Sequence, residues 1–452
     1  MELTETKRKL FIFTLLAGTF TMSISQSALS TAYPALMHFF TVDAATIQWL
    51  TTGFMLMMCV MMPVSPWLLN NISFKHLYLS VLALFGIGTL MIIFAPTFWF
   101  ALLGRLLEAT AVGILFPSFQ TVLMTITPKD KRGQTMGAAG LVMGSALAVG
   151  PIISGIVLNF LRWQALFWLF CFLMLVIFLA ACVTISDVME QKPSQLDVFS
   201  LFYEGAGLGM VLYALTAFKD PAHLLSSVLL LLLGLGLLIA FCQRQLKLAT
   251  PLLELRIVKY LAFDIGLLLT GLSYMSLIVV TIVFPLYYQK ILGLSPLASG
   301  LSLVLPAVLL SVLNPITGKL ADKWGFKPVL LVGVSMLLSG WAGLLLWQDH
   351  LGLPLLIAFS MVIEGGNAFV MMPATTLGAN SVPKNLIAHA TALTTTIRQL
   401  LGSLGVMGAT LLLSSAGQSI TQKSSYSRVF ICFLLIEAIA LVLALRLKEV
   451  KK

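Results

Sequence analysis

Seven charged side chains fall inside long apolar stretches of this sequence: Arg105, Glu108, Glu204, Asp264, Glu364, Arg398 and Glu437. Near the middle of a bilayer-spanning helix each costs roughly 2.5–3.5 kcal/mol, so each needs a partner, a wet cavity or a function. Two of them are matched. Glu108 lies nine residues before Pro117 and Glu364 nine before Pro373. Each stretch then enters its next polar loop at Pro-Lys (Pro128-Lys129 and Pro383-Lys384). Arg105 precedes Glu108 by three residues and shares its helix face. Arg398 has no acid on its own stretch. At about 1.5 Å per residue, Glu364 lies about 16 Å below the outer edge and Arg398 about 18 Å above the inner one, a depth at which the two can pair. Glu204 and Asp264 sit within a turn or so of a helix end and can snorkel to water. Glu437 is central in the last stretch.

A carboxyl at such depth can pair with a charge or bind a proton, and the two roles make opposite demands. A permanently paired carboxylate stays ionised at neutral pH, whereas one in a partly dry cavity can take up and release a proton. No Walker A sequence is present to bind a nucleotide. The five cysteines (Cys59, Cys171, Cys182, Cys242, Cys432) lack metal-ligand spacing and read as packing residues, so no metal or disulfide is expected.

The elements that must position these groups are set by composition. Of 452 residues, 59% are hydrophobic and 10% charged, against about 25% charged in an ordinary soluble domain. Apolar runs of about 20 residues cross the hydrocarbon as helices. Such runs lie near 10–36, 48–69, 76–95, 98–123, 134–158, 164–185, 199–218, 223–242, 261–288, 296–317, 328–347, 353–377, 387–413 and 428–446, fourteen in all. The first is too long for a cleaved signal peptide. Placing both termini in the cytoplasm puts twenty of the 27 Lys and Arg inside and five outside. This is a positive-inside bias that an odd helix count would scramble. The basic balance, pI about 9.4, therefore reflects topology rather than a nucleic-acid partner; the partner is the lipid bilayer.

An internal repeat accompanies the helices. Residues 66–91 align without gaps on 318–343, pairing Asn70 with Asp322, Phe74 with Phe326, Lys75 with Lys327 and Gly88 with Gly340. Two six-helix halves in the same orientation, residues 1–190 and 259–452, flank an inserted helix pair and its linkers at 191–258. Parallel repeats of this kind are one way to build alternating access around a central site.

These residues carry a resemblance. GKLADKWGFK (Gly318 to Lys327) resembles the cytoplasmic loop motif of the major facilitator superfamily, and GRLLEATAVG (Gly104 to Gly113) its fourth-helix motif, where Gln-Gly commonly follows the arginine. AVGPIISG (Ala148 to Gly155), with Gly150 and Pro151, is similar to the Gly-Pro motif of its antiporters. TALTTTIRQLLGSLG (Thr391 to Gly405) resembles exporters of the QacA and EmrB type. With fourteen helices, the chain resembles the fourteen-helix drug:proton antiporter branch. The resemblance implies an all-α integral membrane protein of the cell membrane, two six-helix halves plus two inserted central helices, working as a monomer. It implies export of small lipophilic molecules driven by protons, with no other cofactor and no enzymatic step.

The resemblance also implies roles. Gly318, Asp322, Lys323 and Gly325 form a cytoplasmic latch. Glycine permits the tight turn, and Asp322 can accept from helix N-terminal amides or pair with a base. In the first half Asn70, Asn71 and Ser73 replace the usual Asp, Arg and Gly, so an intact latch is expected only in the second. The fourth helix of each half lines the cavity, which makes Glu364 the first and Glu108 the second candidate for proton coupling, with Arg105 and Arg398 as charge partners. The aspartate common in the first helix of relatives is absent: SQSALSTAYP places Ser25, Ser27, Ser30 and Pro34 at the motif positions. Gln26, Ser30, Trp49, Phe54, Met57, Tyr274, Phe284, Tyr287, Tyr288, Asn367 and Met371 are candidate cavity residues, though such stripes also serve helix packing. A lipid flippase, a metabolite or peptide exporter on the same fold, and a transport-inactive membrane sensor remain alternatives.

Overall fold

A computed structural model describes residues 5–42, 44–47, 49–193, 195–217, 224–414 and 423–448. Helices form along the apolar stretches, even across Pro117, Pro285, Pro315 and Pro373, because in hydrocarbon the backbone must satisfy its own hydrogen bonds. In chain order they are α1 (Glu5–Phe40), α2 (Ala44–Ile47), α3 (Trp49–Met61), α4 (Ser65–Asn71), α5 (Phe74–Ile93), α6 (Phe98–Ile126), α7 (Arg132–Phe160), α8 (Gln164–Thr184) and α9 (Val198–Ala217). They continue with α10 (Leu224–Lys247), α11 (Leu261–Lys290), α12 (Pro296–Ser302), α13 (Val304–Trp324), α14 (Phe326–Leu346), α15 (Leu353–Asn380), α16 (Ile387–Ser414) and α17 (Lys423–Arg446). No strand occurs among the described residues. A 3-10 turn at Met62–Val64 separates α3 from α4; Pro63 and Pro66 each lack an amide hydrogen there.

Among the described residues, twelve stretches are long and apolar enough to cross a bilayer, α3–α4 and α12–α13 each acting as one. The fourteen crossings implied by the sequence are therefore not all met. The two that fall out are α7 and α9. The described apolar stretch of α9, Val198–Ala214, is short of the roughly 20 residues a span needs. α7, a continuous helix of 29 residues (Arg132–Phe160), is not among the twelve.

The chain forms two compact units. One comprises Met1–Ile126, Val149–Arg256 and Thr391–Leu393, the other Thr127–Ala148, Ile257–Ala390 and Thr394–Lys452. In the first, α6 packs on α5 and α3, α8 on α5, and α1 on α8, while α9 and α10 pack along each other and α9 lies on α3. In the second, α15 is central, contacting α14, α11 and α13, and α17 packs on α14. The matched fourth helices, α6 and α15, are thus each the hub of a unit. Both hubs use small residues to approach a neighbour closely. A methyl added at Gly104 would lie 2.7 Å from the Gly88 carbonyl, and one at Gly366 2.7 Å from that of Gly333.

The core of the second unit gathers Val280, Phe284, Tyr287, Tyr288, Leu337, Trp341, Tyr426, Phe430 and Phe433. Trp341 is fully buried, edge-on to Phe284 and tilted against Phe433.

Candidate functional site

In the first unit the site is the buried Arg105–Glu108 pair. Glu108 is 0% exposed. Its Oε2 accepts from Arg105 Nη1, one turn earlier on α6, and its Oε1 accepts from Thr89 Oγ1 of α5 at 2.7 Å. The guanidinium of Arg105 stacks over the Phe54 ring at 4.0 Å, and its Nε donates to the Leu50 carbonyl at 3.4 Å. Both charges are compensated. A pair closed in this way fixes α3, α5 and α6 against one another, and removing one member leaves the other buried and uncompensated.

The second unit builds its site differently. Glu364 is 4% exposed, and its Oε2 accepts from Asn367 Nδ2 at 3.2 Å, three residues along α15. Asn367 Oδ1 in turn accepts from Ser273 Oγ of α11 at 2.6 Å. No cation pairs with Glu364 among the described residues. The pairing of Glu364 with Arg398 that their depths allow is not made. The guanidinium of Arg398 instead sits 5.2 Å over the Tyr274 ring, and its Nε is buried without an acceptor. The physical reason is proximity: α16 lies directly on α11 at Gly402, where an added methyl would meet the Tyr274 ring at 2.8 Å. The aromatic face of α11 therefore reaches the guanidinium first.

Gly318, Asp322, Lys323 and Gly325 lie at the end of α13 and its turn into α14. The Asp322 carboxylate accepts from the amides of Gly133 (2.9 Å) and Gln134 (2.8 Å) in the first turn of α7. A carboxylate there meets the positive end of the helix dipole and two otherwise unpaired donors. Gly318 is required because the backbone of Gly133 occupies the space a side chain would need. Gly325 sits at φ +90° between α13 and α14, while its counterpart Ser73 sits at φ −60°, so the first loop needs no glycine. Lys323 is exposed. In the first loop the Asn70 carbonyl accepts from the Lys192 amide, and Lys75 donates its amide to Asp187 and its Nζ to the Cys182 carbonyl. The segment after α8 thus closes this loop. Gly150 lies against Ser27 and Ala28 of α1, whereas the side chains of Pro151 and Ser30 fall outside the described residues.

The proposed cavity residues divide. Phe284, Tyr287 and Tyr288 are packed in the core of the second unit, Tyr287 edge-on to Tyr426, rather than on a cavity wall. Phe54 is committed to Arg105, and Trp49 stacks on Tyr213 of α9 with centroids 6.2 Å apart. Asn367 and Met371 are buried on α15 and Tyr274 partly buried on α11, where its hydroxyl donates to Gln399. Gln26 and Met57 are partly exposed. Glu204 does not snorkel: it is 2% exposed, enclosed by protein. Both oxygens of Glu437 are buried, with the Ser276 hydroxyl facing them. Sequence reasoning missed Ser273 and Ser276. Their signal is the spacing Thr270, Ser273, Ser276, a hydroxyl every third residue on one face of an apolar helix. Ser276 Oγ accepts from Trp341 Nε1 at 2.7 Å. Among the described residues, no group of three or more His, Cys, Asp or Glu could hold a metal ion.

The sequence pattern of the Major Facilitator Superfamily matches residues 15–406. The uncharacterised MFS-type transporter YcnB of Bacillus subtilis (strain 168) is 34% identical over 88% of this chain and 84% of its own length. The lincomycin resistance protein LmrB of Listeria monocytogenes serovar 1/2a (strain ATCC BAA-679 / EGD-e) is 32% identical over 89% of this chain and 86% of its own. Among solved structures, the proton:xylose symporter XylE shares the fold with a TM-score of 0.71 at 12% identity, covering 99% of this chain and 98% of that one. The chain, an all-helical multi-pass membrane protein and a transporter rather than an enzyme, belongs to the major facilitator superfamily.

Proposed function

We propose that this chain is a proton-coupled antiporter that exports lipophilic drugs or toxic small molecules, cationic ones among them, from the cytoplasm by alternating access. The observation that carries the reading is Glu364. Its carboxyl is buried at mid-helix, touched by the Asn367 amide and, among the described residues, by no cation. Such a group is stable neutral in a dry conformation and can ionise when its surroundings hydrate, which is what a coupling site requires. Glu108, already neutralised by Arg105, serves as a fixed structural pair. Similarity to the lincomycin resistance protein supports drug-like cargo. Lincomycin and a lipophilic cation are therefore the first compounds to try.

In this reading α7 and α9 also cross the bilayer, giving fourteen spans with both termini in the cytoplasm of a cell-membrane protein. The Lys and Arg distribution supports that orientation. The two six-helix halves, 1–190 and 259–452, then move around a substrate path that includes Tyr274, Asn367 and Met371, and the monomer is the working unit. Efflux from proteoliposomes, driven by an imposed pH gradient, tests the whole reading. Substrate movement without proton movement would reduce it to facilitated transport, and no movement of any lipophilic compound would favour a sensor.

A further inference from the structure

The α9–α10 pair contains a titratable group that the transport reading does not use. Glu204 is 2% exposed, and its Oε2 is buried without a hydrogen bond. No ion pair or hydrogen bond reaches this carboxyl among the described residues. It lies where α9 meets α3 and α10. The titratable groups facing it are Cys59 of α3, fully buried, and Cys242 of α10. The neighbouring cation, Arg244 of α10, is engaged by Asp197 through bonds of 2.6 and 2.9 Å. Tyr203 precedes Glu204 on its own helix.

A buried polar cluster lies one helical turn before it on α9. Asp197 accepts from Ser200 at 2.6 Å, Ser200 accepts from Gln245, and Gln245 accepts from the Leu253 amide. Ser200 and Gln245 are themselves fully buried. Glu204 is one turn beyond Ser200 on the same face of α9. Elsewhere α9 meets α3 where Gly205 faces Val60, an added methyl there lying 3.4 Å from it, and where Trp49 stacks on Tyr213.

We propose that Glu204 is a proton-binding site of the α9–α10 pair, distinct from Glu364, reached through the Asp197–Ser200–Gln245 cluster, and that its ionisation loosens α9 from α3. The neutral acid is tolerated at the contact. The carboxylate, with no partner there, must gain water, and it does so by parting α9 from α3. No bond other than O–H forms or breaks. The proton comes from, and returns to, the aqueous side of the cluster.

Cys59 reports on this contact. With Cys171, Cys182, Cys242 and Cys432 replaced by serine, the alkylation rate of Cys59 by N-ethylmaleimide is followed from about pH 6 to about pH 8.5. The thiolate fraction rises with pH in every variant, so the measure is the rate relative to Glu204→Gln at the same pH. The expected ratio is near one at the acid end and rises to tenfold or more at the alkaline end. A ratio of one throughout overturns the proposal. So does a ratio below one, because a carboxylate that stays packed beside Cys59 would only suppress its thiolate. Glu204→Leu provides a second neutral reference, expected to match Glu204→Gln, should the amide disturb packing. Efflux driven through Glu364 is read separately, so failure of either idea leaves the other standing.

Discussion

Replacing Asp322 by asparagine keeps the side chain's shape and withdraws its charge from the two amides it caps. The carboxylate accepts from Gly133 at 2.9 Å and from Gln134 at 2.8 Å. A hydrogen bond to a charged group is worth about 1.5–3 kcal/mol, and a negative charge at a helix N-terminus adds about 0.3–1 kcal/mol. Asparagine retains one accepting oxygen but turns an NH2 group toward the second N–H, so one bond and the dipole contribution are lost, about 2–4 kcal/mol. The Gln134 bond is exposed, where water competes, so the lower end applies, about 2 kcal/mol or roughly 30-fold in conformer ratio. Spin labels at Lys131→Cys and Lys323→Cys, both exposed positions, on a background with the five native cysteines replaced, read the separation of α7's first turn from the end of α13. The parent should give one short-distance population, and Asp322→Asn a second, longer one with weakened efflux. Asn70→Asp should be tolerated. An unchanged distance distribution and unchanged efflux in Asp322→Asn would refute the latch.

Glu108→Gln should lower stability by about 3–5 kcal/mol, because Arg105 remains buried over Phe54 without its counter-charge; the double variant Arg105→Met/Glu108→Leu should recover most of this in thermal unfolding. Trp341→Phe removes the donor to Ser276 and should cost about 1 kcal/mol by the same assay. Arg244 holds the Asp197 carboxyl below the usual carboxylate range. Its stabilisation is therefore present above the ordinary value and lost as pH falls through the lowered one. Asp197→Asn should flatten the acid limb of the melting profile, and an unchanged limb would remove Asp197 from the account. For topology, Lys192→Cys and Lys259→Cys should both resist an impermeant thiol reagent on intact cells while Lys290→Cys reacts. Labelling of only one of the first two would mean that α9 and α10 are not two crossings.

Much of this organisation is legible in the sequence because the bilayer imposes length and polarity rules on every crossing. The matched glutamates before Pro117 and Pro373 become the hubs α6 and α15, and Asp322 meets helix N-terminal amides. What the pattern leaves open depends on neighbours. An aromatic stripe looks alike whether it lines a cavity or a core, and in Phe284, Tyr287 and Tyr288 the packing of α14 and α17 decides for the core. Arg398 carries no mark distinguishing a carboxylate partner from the Tyr274 ring. Glu204 sits near a helix end, where sequence allows it to reach water, yet α9 packs on both α3 and α10 and encloses it.

The central claim is that Glu364 carries the coupling proton while Glu108 stays paired. The most direct test is proton release on substrate addition to purified protein in weakly buffered detergent, read with a pH indicator. The parent should release protons as substrate binds. Glu364→Gln, nearly isosteric and fixed in the neutral form, should still bind substrate, without pH dependence and without release. Glu108→Gln, where it remains folded, should release as the parent does. Full release from Glu364→Gln together with gradient-driven efflux would contradict the account and move the proton to another carboxyl.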